Sequence, residues 1–408
     1  MNRIFLDVHA LQTVPPSNLN RDDTGAPKSA VYGGVPRARV SSQAWKRATR
    51  EYFRDEHLLD PSELGVRTKK VVELLAERIT GLDPAIPEAA ALQLADRTIQ
   101  AIGLKTEVPQ RKTRGAKAAK GAAQPAATEE EKDPAPQSKY LVFLSARQLD
   151  GLARLAAGAA ADPSALLSDK KSRDEAKQLA DSRHSVDIAL FGRMVADAAD
   201  FNVDAAVQVA HAISVHRVEN ESDYYTAVDD ENTDEETGAG MIGTVDFNSA
   251  TLYRYAALGV HQLATTLGDG LREDEPRTDP VRRAVEAFVH GFTASLPTGK
   301  INTFGHHTLP DAVIVKLRTT RPVSFVSAFE EPVRGDQGGH VREASDRLAA
   351  YVPDIERAYG DQDSTLTWVL RVGPNTRKLA DLGTEAESLP ELITAVGQAV
   401  AEHLEKPA

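Results

Sequence analysis

The chain has no cysteine among its 408 residues, which at once excludes disulfide scaffolds, thiolate-bound metals and a cysteine nucleophile. It also lacks a long apolar run, and nothing approaches the roughly 18 consecutive apolar residues of a membrane span. The opening residues MNRIFLDVHALQT mix acid and histidine into their apolar positions, so they read as a strand rather than a signal peptide. A soluble cytoplasmic protein with no membrane partner is expected. Catalytic signatures are missing as well: no G-x-S-x-G or P-loop pattern occurs. The acidic run Asp229–Glu236 does not have the spacing of a calcium loop. His211 and His216 stand five apart and His306 adjoins His307, neither at the i, i+4 spacing with which two histidines of one helix hold zinc. No catalytic centre, metal or cofactor is therefore expected.

Basic excess is also absent. The formal net charge is −12, the wrong sign for a protein that neutralises phosphates. The distribution is uneven, however: residues 1–54 carry nine Lys or Arg against four acids, a local balance of +5. One anion-binding face on an otherwise repelling surface accounts for such asymmetry.

Apolar spacing predicts a strand from Ile4 to Leu11, a shaped Gly-Gly-Pro loop ending in an extended piece from Val31 to Val40, and a helix from Ser42 to Phe53. Residues 61–183 read as a helical subdomain, with helical spacing in Lys69–Thr80, Glu88–Ile102, Ala146–Ala157 and Glu175–Ala180. Inside it Arg111–Lys139 is basic first, then acidic, and rich in Ala and Pro, the composition of a disordered insertion. Beyond Asp187 apolar residues alternate from Val203 to Val215, and the extended segments Asp223–Val228 and Met241–Phe247 flank the acidic loop as a long hairpin. Helices at Val281–Ser295, Arg342–Tyr359 and Leu389–Leu404 then alternate with strands at Ala312–Leu317 and Thr365–Val372. The class implied is α+β, a sheet core carrying insertions.

On a helical wheel of 100° per residue, Lys46, Arg50, Arg54 and Arg47 share one arc of the 42–53 helix, beside an anchor of Trp45, Ala48, Thr49, Tyr52 and Phe53. Ser41 and Ser42 stand where hydroxyls cap a helix and free N–H groups attract anions. Arg21, Lys28, Arg37 and Arg39 lie upstream in a loop able to run beside the same face. Such a row suits a phosphodiester chain, and it also suits an ordinary solvated basic face.

Longer stretches resemble one family, the CasC backbone subunit of the type I-E CRISPR Cascade complex. The matching residues are LNRDD (Leu19–Asp23), Lys28, Gly33-Gly34, RARVSSQAWKRATR (Arg37–Arg50), SVDIALFGRM (Ser185–Met194), VAHAISVHRVENESDYYTAVDD (Val209–Asp230) and GTVDFNSATLYRYAAL (Gly243–Leu258). The resemblance implies a modified RRM (ferredoxin-like) palm in 1–60 and 184–408, a helical fingers insertion in 61–183 with the disordered stretch near 111–139, and a β-hairpin thumb near 209–255. It implies a non-catalytic subunit that binds CRISPR guide RNA, stacks head to tail with copies of itself and other Cascade subunits, and displays the guide to target DNA. Carried over by position, Arg21, Lys28, Ser41, Gln43, Lys46, Arg47 and Arg50 would hold the guide's sugar-phosphate backbone. Tyr224, Tyr225, Val228 and Ile242 would press on the guide from the thumb, and Met194 would meet a neighbouring thumb. Lys170, Lys171, Arg173 and Lys177 match a segment that guides DNA, and Lys300 is a further basic candidate. Where the family often has a basic residue after the glycine pair, this chain has Val35. Two other readings stay open: an RNA-processing endoribonuclease of ferredoxin-like fold with His211 or His216 as acid/base, and a protein-only scaffold whose basic helix meets acidic partners.

Overall fold

The structure is a computed structural model that describes residues 3–109, 134–195, 198–227, 241–268, 275–336, 338–361 and 365–406. The chain forms two compact units, one from Met1–Asp60 with Ala205–Ala408 and the other from Pro61–Asp204.

The first unit begins with strand β1 (Phe5–Ser17), followed by β2 (Ser29–Tyr32), β3 (Val35–Val40) and helix α1 (Ser42–Asp55). The stretch expected to be a shaped loop is a tight hairpin: Tyr32 pairs with Val35 across Gly33 and Gly34, both at positive φ as a two-residue turn requires. The second unit holds β4 (Gly65–Thr68), α2 (Val71–Leu82), α3 (Glu88–Ala101), β5 (Thr106–Glu107), β6 (Gln137–Ser138), β7 (Val142–Ser145), α4 (Ala146–Gly158), α5 (Ala165–Ser168), α6 (Lys170–Ala180) and α7 (Val186–Phe191). Its core is Leu, Ala, Val and Ile from α2, α3 and α4, as their 3.6-residue spacing dictates. Most of the segment expected to be disordered lies outside the described residues, but its end is ordered, because Ser138 and Gln137 pair with Thr106 and Glu107.

The chain returns to the first unit with β8 (Val207–Val209), β9 (Ala212–Ser214), β10 (Glu221–Ala227), β11 (Met241–Gly259), α8 (Val260–Leu267), α9 (Thr278–Ala294), α10 (Ile301–Phe304), β12 (Ala312–Arg318), α11 (His340–Tyr359), β13 (Thr365–Arg371), β14 (Thr384–Glu385) and α12 (Leu389–Glu405). The alternating 203–215 stretch thus supplies two short strands, β8 and β9. Ten strands form one mixed sheet in the order β14-β13-β12-β1-β11-β9-β3-β2, with β8 and β10 also pairing β11. Strand β1 pairs antiparallel with both β11 and β12, and its residues are buried on both faces, which is why they do not alternate cleanly. No helix among the described residues is long and apolar enough to cross a membrane.

Two polar devices lock this sheet. Asp7 on β1 and Arg318 on β12 are fully buried and pair at 2.9 Å, while the Tyr255 hydroxyl and the Val323 N–H donate to the same carboxylate. Burial outweighs these partners and raises the Asp7 carboxyl to about 6. His216, just after β9, offers its Nδ1 to the Arg217 carbonyl at 2.8 Å and accepts from the Thr251 N–H of β11 at 3.1 Å, so both ring nitrogens are occupied. Burial lowers it to about 4.

Arg318 also donates to Glu356 at 2.8 Å and stays paired without Asp7, whereas the Tyr255 hydroxyl and the Val323 N–H lose their acceptor, so Asp7→Ala is expected to cost about 1–3 kcal/mol in denaturant unfolding. Asp7→Ala with Arg318→Met should cost less than the sum of the two single changes. His216 is held neutral in the fold and takes a proton near 6.5 when unfolded, so its contribution is complete above that pH and is lost as pH falls towards 4. His216→Asn should therefore show a melting deficit at pH 7 that narrows by pH 4.5. The comparison with wild type isolates this residue, because raised Asp7 acts in the opposite sense between 3.8 and about 6.

Candidate nucleic-acid interface

Helix α1 sits with Trp45, Thr49 and Phe53 buried, while Ala48 and Tyr52, expected in the same anchor, are only half-buried. Its first turn is capped by Ser41, whose hydroxyl accepts from the Ala44 N–H, a contact worth about 1 kcal/mol. The Ser41 N–H donates to Asn20 Oδ1 at 2.9 Å, tying the cap to the preceding loop. That loop is braced internally. Asp22 accepts from Thr24 and Ala26, which holds its carboxyl below the usual carboxylate range, chiefly through the Thr24 hydroxyl. The Lys28 N–H donates to the Asn20 carbonyl, and Asn18 reaches the Gly25 carbonyl at 3.0 Å. A third wall comes from Ser295–Lys300, where Gly299 packs so closely that a Cβ would stand 2.3 Å from the Leu19 carbonyl oxygen.

These three walls enclose an open cleft of about 890 Å³. Arg21, Lys28, Ser41, Gln43 and Arg47 all line it, and so does Lys300, which the sequence offered only as a lone basic residue after a turn. Asp22, Asp23, Glu51 and Asp55 line it too. Asp22 is spent on the loop's shape and Glu51 pairs with Arg47 at 2.8 Å, so the acids partly neutralise and position the bases. Tyr52 and the Thr298 segment are cleft residues that sequence reasoning missed as such. The Pro-Thr-Gly turn at 297–299 was the available signal.

The single arc of cations is corrected by the fold. Lys46 and Arg50 are half-buried on another flank of α1 and do not line the cleft, and burial lowers the Lys46 ammonium. Arg37 is no surface cation: it is fully buried, donating to the carbonyls of Tyr32, Ser214, Phe329 and Glu330. Arg39 reaches the Ser29 carbonyl and His211.

The hairpin ladder runs from Glu221↔Phe247 to Ala227↔Met241, and from Asn248 onward β11 belongs to the central sheet. Tyr224 pairs with Thr244 and Thr226 with Ile242, so Tyr224 and Ile242 share one face, exposed at 63% and 60%. Tyr225 is on the other face, its ring lying across Gly243, where a Cβ would come within 2.4 Å of the hydroxyl. Val228 and the acidic loop Asp229–Glu236 lie outside the described residues.

In the second unit Met194 is 83% exposed next to Arg193, whose buried guanidinium donates to the Phe201 and Ala180 carbonyls. Lys170, Lys171, Arg173 and Lys177 are exposed on α6, and the i, i+3, i+7 spacing puts Lys170, Arg173 and Lys177 on one stripe. His216, with both nitrogens occupied, has no free site for proton transfer. Among the described residues no group of three His, Asp or Glu side chains is placed to hold a metal ion.

Comparison with known proteins places this geometry. No curated protein matches the chain. Among solved structures it is similar to a chain described as "CRISPR RNA-guided surveillance complex, pre-nicking", with 32% identity over 97% of this chain and 100% of that one, at a TM-score of 0.78. A second, described as "CRISPR RNA-guided surveillance complex", is 29% identical over 97% of this chain and 99% of that one, at a TM-score of 0.67. The profile of the CT1975-like protein family matches residues 6–395, and the chain belongs to that family, the CasC-type group that its sequence resembles.

Proposed function

We propose that the protein is a non-catalytic, guide-RNA-binding backbone subunit of a type I-E Cascade surveillance complex. The observation that carries this reading is the cleft at the N-terminus of α1, where Arg21, Lys28, Arg47 and Lys300 converge around Ser41 and Gln43 in a chain similar over 97% of its length to surveillance-complex chains. Cations and a helix N-terminus grip phosphates without reading bases, which is what a holder of arbitrary guides needs. Lys46 and Arg50, on the neighbouring flank of α1, take further phosphates along the strand.

In this reading the first unit is the modified RRM (ferredoxin-like) palm, the second is the helical fingers, and β10 with the start of β11 is the thumb. Copies stack head to tail along the spacer, and the thumb of one meets Met194 of the next. Tyr224 and Ile242 form the thumb face that presses on the guide, because a stacked aromatic tolerates any base. Tyr225 orders the hairpin through Gly243. The exposed stripe of α6 steers target DNA to the displayed guide. The engagement of His216 by Arg217 and Thr251 supports holding over cleaving.

Arg21→Glu, Lys28→Glu and Arg47→Glu together should abolish co-purification of short RNA, read as the 260/280 absorbance ratio, while the melting temperature changes little. Retained RNA in that variant would overturn the cleft assignment. Single changes should flatten the log–log salt dependence of guide binding by about 0.7 per lost phosphate contact. On the thumb, Tyr224→Ala should weaken guide binding by about tenfold, within the roughly 1–3 kcal/mol of a base–aromatic stack, and Tyr224→Phe should restore it. Tyr225→Phe should leave affinity unchanged, as measured by fluorescence anisotropy.

A further inference from the structure

A second cleft of about 560 Å³ lies in the first unit, between the start of α11 and the turn of 3-10 helix at Pro374–Leu382. It shares no lining residue with the guide cleft. Arg334, Arg342, Arg377 and Lys378 line it, together with Asp336, Glu343 and Asp346. The charges sort into two groups. Asp346 is taken by Lys378 at 2.8 Å, and Glu343 is taken by Arg347 at 2.8 Å and by the Gly335 N–H at 3.0 Å. Arg334, Arg342 and Arg377 are exposed and form no ion pair with any described residue, which leaves three guanidinium groups facing the space against the single carboxylate of Asp336.

The backbone adds to this. Helix α11 is 20 residues long, its N-cap is Gly339 with no side-chain cap, and Arg342 stands in its first turn. The first turn also carries Glu343, but that carboxylate is engaged by Arg347 and the Gly335 N–H, so the uncapped start of the helix and Arg342 together still favour an anion. Three arginines, rather than lysines, favour planar two-point recognition of phosphate oxygens. In a chain of net charge −12, three exposed arginines outnumbering the one acid of the cleft that is not in an ion pair with a described residue make a locally attractive spot on a repelling surface.

We propose that the Arg334–Arg342–Arg377 cleft is a second phosphate-binding site, taking phosphodiester groups of a nucleic-acid strand other than the one held in the guide cleft. The assignment of a nucleic-acid partner rests on the function proposed above, while the site itself is built from different residues. Acidic segments of a second copy are the competing occupant; their carboxylates offer two oxygens each, fewer acceptors than a phosphodiester strand presents to three guanidinium groups.

The test uses the full-length protein as purified, with whatever RNA it retains, and a fluorescein-labelled oligo-dT strand as probe across roughly 50 to 200 mM salt. Arg334→Gln, Arg342→Gln and Arg377→Gln together should leave the 260/280 ratio and melting temperature unchanged. The same variant should weaken oligo-dT binding by about tenfold and flatten its log–log salt slope by about 2, near 0.7 for each of three contacts. Arg342→Lys alone should recover charge but only part of the affinity. Equal affinity and slope in wild type and triple variant would overturn the proposal. So would loss of self-association with oligo-dT binding intact, which would assign the cleft to a second copy. Inorganic phosphate competing as well as the strand, phosphate for phosphate at equal ionic strength, would overturn the strand assignment. Wild-type protein without retained RNA that still binds oligo-dT through these arginines would count against the guide reading, not against this site.

Discussion

The seat of α1 is the contact on which the geometry of the cleft depends. Trp45 is buried with the Arg254 guanidinium 3.8 Å from its ring centre, and the same guanidinium lies 4.7 Å from that of Phe292 on α9. Among the described residues no carboxylate pairs with Arg254. Its charge is met instead by Gln12 of β1, by the carbonyls of Phe292 and Thr293, and by two aromatic faces. Burial lowers this guanidinium to about 9, still charged at neutral pH. A charge held this way tolerates little displacement, so β1, β11, α1 and α9 are fixed in one rotation of the helix. That rotation turns Gln43, Arg47 and Glu51 to the cleft.

Arginines divide into two populations with opposite roles. Arg37, Arg193, Arg254 and Arg318 are buried and spend their donors on carbonyls or carboxylates that join distant segments, such as Arg37 between β3 and the chain at Phe329. Arg21, Arg47, Arg334 and Arg377 keep their heads in water. Counting basic residues along the first 54 positions therefore overstates the exposed basic surface, and the mixture of bases with Asp22, Asp23, Glu51 and Asp55 in the cleft moderates its charge further. Of these acids, Glu51 holds Arg47 in place through their ion pair at 2.8 Å, while Asp22 holds the loop through Thr24 and Ala26.

The hairpin has a comparable division. Its two strands pair over seven positions, and only the alternation of faces decides which aromatic is free and which is structural. Tyr224 has Thr244 opposite it and is left open, whereas Tyr225 has Gly243 opposite it and lies down into the space that glycine leaves. Adjacent tyrosines thus have different physical tasks.

Local pattern was enough for the elements. The spacing of Trp45, Thr49 and Phe53 specifies α1 and its buried side, the apolar periods of 69–80, 88–102 and 389–404 specify helices close to those observed, and the segments around the acidic loop specify the hairpin. The LNRDD and RARVSSQAWKRATR stretches also carry the family membership that the whole chain confirms. Sequence by itself did not determine partners across the fold. It could not separate buried Arg37 from exposed Arg47, bring Lys300 to the loop at Arg21 and Lys28, or put Tyr225 on Gly243, because each depends on contacts between residues far apart in the chain. Periodicity reports which side of an element is apolar, and only packing decides what stands opposite it.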